Sequence, residues 1–246
     1  MVRIGNEKMS APKRFFIEEV APEMTLEGEE FNHAKNVLRL VAGDEITLLD
    51  NSGKEYSAII TAVGKKNMSL HVVGETVGDK ESKTPVRLLC AELKGDKTEL
   101  VVQKAVELGV KEICIFHSRY CSAYMNENKL ERLNKVAREA AKQCLRSVAP
   151  KVEFIPNFAF ALETGKDFEN KLFACEFAKK SDADVKNLCG STVLVIGSEG
   201  GFSEDEFALA QSMGYAGITL GKRILRAETA AIAFTAVVTF ALGDLG

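Results

Sequence analysis

The chain has 246 residues, 46% hydrophobic and 27% charged, with a formal net charge of −3, a composition ordinary for a soluble globular protein of one large or two modest domains. The acidic balance argues against a strong nonspecific nucleic-acid binder. Six cysteines lie scattered at 90, 114, 121, 144, 175 and 189 with no C-x-x-C pair, and His33, His71 and His117 lack ligand spacing, so the pattern argues against a metal site and reads as reduced thiols.

In chain order, the opening residues are charged and lack an apolar core, so no signal peptide and a cytoplasmic location are expected. Strands are expected over Arg14–Glu18, Glu45–Leu49, Glu55–Val63 and Met68–Val73, with a helix over Gly28–Leu40 between the first two. Tyr56, Ala58 and Ile60 alternate with Glu55, Ser57 and Ile59, a two-residue period. Asn51-Ser52-Gly53 carries hairpin-turn chemistry. This strand-rich part predicts a small β-barrel or curled sheet over residues 1–76. The polar stretch 77–85, closing on Pro85, is the linker candidate.

From Val86 strands alternate with helices, which predicts a parallel α/β sheet over residues 86–246. Strands are expected at Val86–Ala91, Glu112–His117, Val152–Ile155, Leu172–Glu176, Thr192–Gly197 and Gly217–Leu220, and helices at Asp96–Leu108 and Asn128–Val148. The last helix, Glu228–Leu242, is apolar nearly all round and therefore buried, in a core or at an interface. At about 15 residues it is short for a membrane span.

Two loops stand out at the end of this pattern. The apolar run Thr192–Ile196 leads into Gly197-Ser198-Glu199-Gly200-Gly201-Phe202, and Ser203 with Glu206 forms a capping box for the helix that follows. The spacing Gly197, Gly200, Gly201 is neither a P-loop nor the G-x-G-x-x-G dinucleotide fingerprint, which counts against a Rossmann oxidoreductase. Gly217–Leu220 runs into the basic loop Gly221-Lys222-Arg223-Ile224-Leu225-Arg226. Two strand-to-helix loops at one sheet edge, one acidic and one basic, make a candidate small-molecule site.

The pair IGSEGGFSEDE (196–206) and LGKRILRAETAA (220–231) resembles the C-terminal signature of the RsmE family of SPOUT methyltransferases. The likeness extends upstream through Leu93–Lys97, Gln103–Gly109, Glu139–Cys144, Lys13–Phe16 and His33–Arg39, nearly the whole chain in the same order. It implies S-adenosylmethionine-dependent methylation of N3 of a uridine in 16S ribosomal RNA of the small subunit. It also implies an N-terminal PUA-like domain that holds RNA, and a homodimer. Sequence rules alone predict an unknotted sheet; the resemblance instead implies a deep trefoil knot. For the cofactor it points to Cys175 and Glu176, to Gly197, Ser198, Glu199, Gly200 and Gly201, and to Leu220, Gly221, Ile224, Leu225 and Thr229. For RNA it points to Arg14, Arg39, Lys94, Lys97, Arg138, Gln143, Arg146 and Arg223.

Chemistry assigns the remaining roles. A uracil nitrogen becomes nucleophilic only as its proton leaves, so a fixed positive charge near a uracil carbonyl is needed. Arg226 is the candidate donor, against the alternatives of holding phosphate or tying a loop to a carboxylate. Glu199, Glu228 and solvent are the alternatives for taking the N3 proton, and an acid at Glu228 also suits the first turn of a helix. Phe202 either stacks on the cofactor or fills core. Seven cations between Lys129 and Lys151, against Glu131 and Glu139, form either an RNA-facing stripe or the wet face of an amphipathic helix. Two departures from the family pattern are evident: Ser198 where proline is common, and EAAKQCLRS over 139–147. The competing readings are a ribose 2′-O methyltransferase of the same superfamily and a non-catalytic RNA-binding assembly protein.

Overall fold

The alternating pattern around Tyr56 does form a strand, and its bulges shape the first half of the chain. The computed structural model describes residues 13–175 and 183–245. It divides into two compact units, one of residues up to Glu81 with Ala141–Ala149, the other of Ser82–Ala140 with the chain from Pro150.

The first unit carries β1 (Arg14–Phe16), β2 (Glu23–Leu26), helix α1 (Gly28–Asn32), β3 (Glu45–Leu49), β4 (Lys54–Val63) and β5 (Met68–Val77). The strand order is β1-β3-β4-β5-β2, with β1 parallel to β3 and the other pairs antiparallel. Register shifts at Ser57/Ala58 and Ile60/Ala62 mark irregularities that increase local twist and bend the sheet around Phe15, Phe31, Leu48, Ile60 and Leu70. Among the described residues the sheet is curled and keeps two edges rather than closing. Asn51 and Gly53 both take positive φ, at 62° and 88°, as the hairpin turn requires. The expected helix over 28–40 is instead one α turn followed by a π-helical turn, His33–Val37. Strand β2 was hidden within the acidic run Glu18–Glu30, whose charges mask a short edge strand.

Buried cations paired with half-buried carboxylates hold this unit together. Arg14 is 8% exposed and donates through both terminal nitrogens to Glu55, at 2.8 and 3.1 Å. Arg146 is 3% exposed and donates to Glu81 Oε2 at 2.9 and 3.1 Å. Glu81 Oε1 accepts from the amides of Ser147 and Val148, both at 3.0 Å. Lys142 pairs with Glu30 at 2.7 Å. The Arg14 guanidinium holds the Glu55 carboxyl below the usual carboxylate range, against the opposing effect of burial.

The second unit contains β6 (Val86–Ala91), α2 (Lys97–Glu107), β7 (Glu112–Phe116), α3 (Glu127–Gln143, whose last turn from Ala141 belongs to the first unit), β8 (Val152–Ile155), α4 (Phe158–Glu163), β9 (Asn170–Ala174), β10 (Thr192–Ile196), α5 (Glu204–Ser212), β11 (Ala216–Ile218) and α6 (Ala227–Ala241). All pairs are parallel, in the order β11-β9-β10-β6-β7-β8. β10 is buried at every position, as an apolar run at the centre of a parallel sheet should be. Helix α3 stops at Gln143, short of the expected Val148, because Leu145 takes a left-handed φ of 66°. Helix α4 escaped the sequence reading because it has only six residues; its N-cap Asn157 accepts from the Phe160 amide at 3.1 Å.

Replacing Glu81 with alanine removes one carboxylate partner of the buried Arg146 guanidinium and the acceptor of the Ser147 and Val148 amides. Glu81→Ala is expected to destabilise the protein by about 3 kcal/mol, read from urea denaturation, with little change for the exposed Lys65→Ala control.

Candidate functional site

The carboxyl ends of β9, β10 and β11 open onto a cavity of about 710 Å³, the crevice position favoured by open parallel sheets. Ala174 and Cys175 line it from β9, Ile196–Phe202 from β10, and Thr219–Arg226 from β11. Ala227, Ala230 and Phe234 close it from one face of α6, at the three- and four-residue spacing of a helix. The two loops singled out in the sequence therefore meet in one place.

The acidic loop is built as a tight turn on a core anchor. The Gly201 amide donates to Ser198 O at 2.9 Å, and Gly201 takes a φ of 69°, a conformation costly for any other residue. Gly197 and Gly200 are needed for packing: a Cβ on the first would lie 2.8 Å from the Phe202 ring, and on the second 2.6 Å from Tyr120 Cβ. Phe202 is core. It is buried among Phe116, Phe158 and Phe173, with 4.3 Å between its ring centroid and that of Phe173. Ser203 and Glu206 complete the capping box at the start of α5.

Glu199 ties three segments together. Its Oε1 accepts from the Lys94 amide and from the Lys97 ammonium, both at 3.1 Å. Lys97 also lies 3.6 Å from Glu228 in the first turn of α6. Burial alone pushes the Glu199 carboxyl up, but its own backbone amide, the Lys94 amide and Lys97 outweigh it and hold the group below the ordinary carboxylate range. Glu199 raises the Lys97 ammonium in return.

The basic loop is open by contrast. Lys222, Arg223 and Arg226 are exposed, and among the described residues none has a carboxylate partner within ion-pair distance. Ile224 is 86% exposed although it lines the cavity. The Ser198 hydroxyl is buried in the acidic turn without a hydrogen-bond partner.

Of the residues proposed for the cofactor, Cys175, Gly197, Ser198, Glu199, Gly200, Gly201, Leu220, Gly221, Ile224 and Leu225 line this cavity, together with Arg223 and Arg226. Thr229 is exposed on the first turn of α6, outside the lining, and Glu176 lies outside the described residues. The residues proposed for RNA divide. Arg39 and Gln143 are exposed in the first unit, and Lys94 and Arg138 in the second. Arg14 and Arg146 are buried against Glu55 and Glu81, and Lys97 is engaged at the site itself. Along α3, Lys129, Arg132 and Lys135 pair with Glu92, Glu99 and Glu131. The sequence reading missed the bracketing role of Lys97 and the contact of Tyr120 with Gly200; no local pattern signals either.

Acid should loosen this bracket. The lowered Glu199 value means its contribution is fully present above the unfolded value near 4.5 and is lost as pH falls through the folded one. Glu199→Gln is expected to flatten the loss of stability between about pH 5 and pH 3, measured by urea denaturation across that range.

Residues 80–239 match the RNA methyltransferase domain family and residues 26–73 the RNA methyltransferase PUA domain family. Ribosomal RNA small subunit methyltransferase E of Mesomycoplasma hyopneumoniae strain 232 is 35% identical over 223 residues, 89% of this chain and 95% of that protein. The solved structure of a Legionella pneumophila methyltransferase with bound S-adenosylmethionine superposes with a TM-score of 0.86 at 28% identity, covering 94% of this chain and 98% of that one. Ribosomal RNA small subunit methyltransferase E of Neisseria gonorrhoeae, bound to S-adenosyl methionine, gives 0.82 at 29% identity over 94% and 98% of the two chains. Joined to the cavity and its two loops, the two domain matches and the full-length relative establish that the chain belongs to the ribosomal RNA small subunit methyltransferase E family.

Proposed function

We propose that this protein methylates N3 of a uridine in 16S ribosomal RNA, using S-adenosylmethionine. The observation that carries the reading is the cavity where the SEGG turn and the KRILR loop converge, with Arg226 exposed and free of carboxylate partners among the described residues. The residues fit the cofactor. The volume lies within the roughly 300–1,000 Å³ of small-molecule sites. Ile224 offers apolar surface to a flat ring, and Ser198 carries a hydroxyl still lacking a partner. Two family relatives were solved with this cofactor. When bound, S-adenosylmethionine supplies an electrophilic methyl group on a sulfonium.

The chain's own residues then have two tasks. The first is positioning, which contributes up to roughly 7–11 kcal/mol when reacting atoms are held in line. The bracket of Glu199, Lys94 and Lys97 serves it by fixing the acidic turn against α2 and α6. The second is stabilising the uracil as its N3 proton leaves. The Arg226 guanidinium donates to a uracil carbonyl oxygen, where the negative charge collects. Glu199 is a poor acceptor for that proton, because its carboxyl is already bonded and held acidic, so the proton passes to solvent at the open rim.

The same reading assigns RNA holding to residues 1–76, a linker to 77–85, and the chemistry to 86–246, with the C-terminal segment threaded as a knot. Arg39, Lys94, Arg138, Gln143 and Arg223 supply its exposed polar contacts to RNA. A second copy of the chain covers Val237 and Phe240, which α6 leaves exposed, making a homodimer. A ribosomal RNA substrate implies the cytoplasm.

Methyl transfer from labelled S-adenosylmethionine to unmodified small ribosomal subunits, followed by nucleoside analysis, is expected to yield 3-methyluridine. Arg226→Ala should lower kcat by about 10²–10³-fold with little change in cofactor affinity. A 2′-O-methylated nucleoside would instead identify a ribose methyltransferase, and no transfer to subunits or naked RNA would overturn the substrate.

A further inference from the structure

The chain holds four tyrosines and no tryptophan, and the tyrosines fall into two pairs. Tyr56 and Tyr215 are bonded through their hydroxyls, to Asp50 Oδ2 at 3.1 Å and to Leu162 O at 2.6 Å. Tyr120 and Tyr124 are 48% and 79% exposed, and among the described residues their hydroxyls have no partner. Both sit in the ten residues between β7 and α3.

That loop is held firmly and lies against the site. The Arg119 amide donates to Glu206 Oε1 at 2.8 Å and its guanidinium to Asp205 at 3.0 Å, which fixes the loop to the first turn of α5. The Cys121 amide donates to Ser118 O at 3.1 Å. Lys129, at the start of α3, donates to Tyr124 O, and Asn126 Oδ1 accepts from the Lys129 amide at 2.9 Å. Tyr120 meets Gly200 so closely that any side chain there would collide with it. The same turn carries Glu199 and, through it, Lys94 and Lys97.

An aromatic ring left in water forgoes a large apolar burial. Here Tyr120 stands against Gly200 of the acidic turn and Tyr124 four residues on in the same anchored loop, while the exposed Lys94 is tied to that turn through its amide. Single-stranded RNA is bound by this combination: bases stack on aromatic faces while cations follow the phosphates. The ring of His117 lies 5.8 Å from that of Tyr124, tilted by 31°, and extends the aromatic surface. We propose that Tyr120 and Tyr124 form a stacking platform for an unstacked nucleobase of the RNA substrate, an inference that rests on the RNA-methyltransferase reading above. The platform receives a base next to the cavity and so orients the strand whose uridine enters it.

Because the chain has no tryptophan, Tyr124→Trp introduces a single reporter whose emission can be followed while unmodified 16S ribosomal RNA, transcribed in vitro, is titrated in. Quenching of that emission is expected. Tyr120→Ala and Tyr124→Ala should each raise the RNA Kd by at least about five-fold, while Tyr120→Phe and Tyr124→Phe keep it, because stacking needs the ring and not the hydroxyl. Cofactor Kd should stay unchanged in the Tyr124 variants. Unchanged RNA affinity in both alanine variants of an enzyme that still methylates RNA would overturn the platform and leave the methyltransferase reading intact. Equal losses in the phenylalanine variants, or a defect confined to assembled subunits with naked RNA bound normally, would overturn it in favour of hydroxyl bonding or a protein contact. Wild-type protein that neither binds nor methylates RNA would overturn both readings together.

Discussion

One carboxylate organises the catalytic unit. Glu199 sits in a turn that glycine makes possible, and its oxygen gathers the Lys94 amide and the Lys97 ammonium. Lys97 in turn approaches Glu228 at the start of α6. Three segments, one of them more than a hundred residues before the other two, are thereby registered around one cavity. The turn is anchored from below by Phe202, buried among three other phenylalanines. The polar bracket at the rim and the aromatic anchor beneath it together leave the main chain of the turn little freedom. Such preorganisation is what a positioning mechanism needs, because a misplacement of about an ångström is costly in rate.

The distribution of charge resolves the apparent conflict between an acidic chain and an RNA substrate. Many cations are consumed internally. Arg14, Arg146 and Lys142 are buried against the half-buried carboxylates of Glu55, Glu81 and Glu30 in the first unit. Several positives along α3 are balanced by neighbouring acids. The basic loop of the second unit keeps its charges in solvent, with Lys222, Arg223 and Arg226 unpaired among the described residues. A small number of uncommitted cations beside a cavity suits a site-specific enzyme better than a broadly basic surface does, because screening limits exposed charges to about a Debye length.

Ser198 shows how a departure from the family pattern can be accommodated. Proline at this position would stiffen the turn covalently. Here the turn is closed by the Ser198–Gly201 hydrogen bond and by the capping box at Ser203 and Glu206, so its shape does not depend on a ring. The serine hydroxyl is left buried and unpartnered, a state that costs roughly 1–3 kcal/mol unless a ligand or water relieves it.

The sequence by itself determined the class of fold and singled out the two loops that line one cavity. The apolar runs at β6, β7 and β10, the helical periodicity of α2 and α3, and the glycine and arginine spacing of the two loops all depend on local residue order, and all were legible there. Boundaries were less so: α3 ends where Leu145 turns left-handed, and α1 gives way to a π turn. What each charged or aromatic side chain does was decided only by the tertiary structure. Arg14 and Arg223 look alike in a string of letters, yet one is buried against Glu55 and the other faces solvent. Phe202 became core, Lys97 a bracket and Tyr120 the neighbour of Gly200 because partners distant in sequence were brought to them. Local propensity acts over a few residues, whereas burial and ion pairing depend on chain segments that meet only when the protein folds.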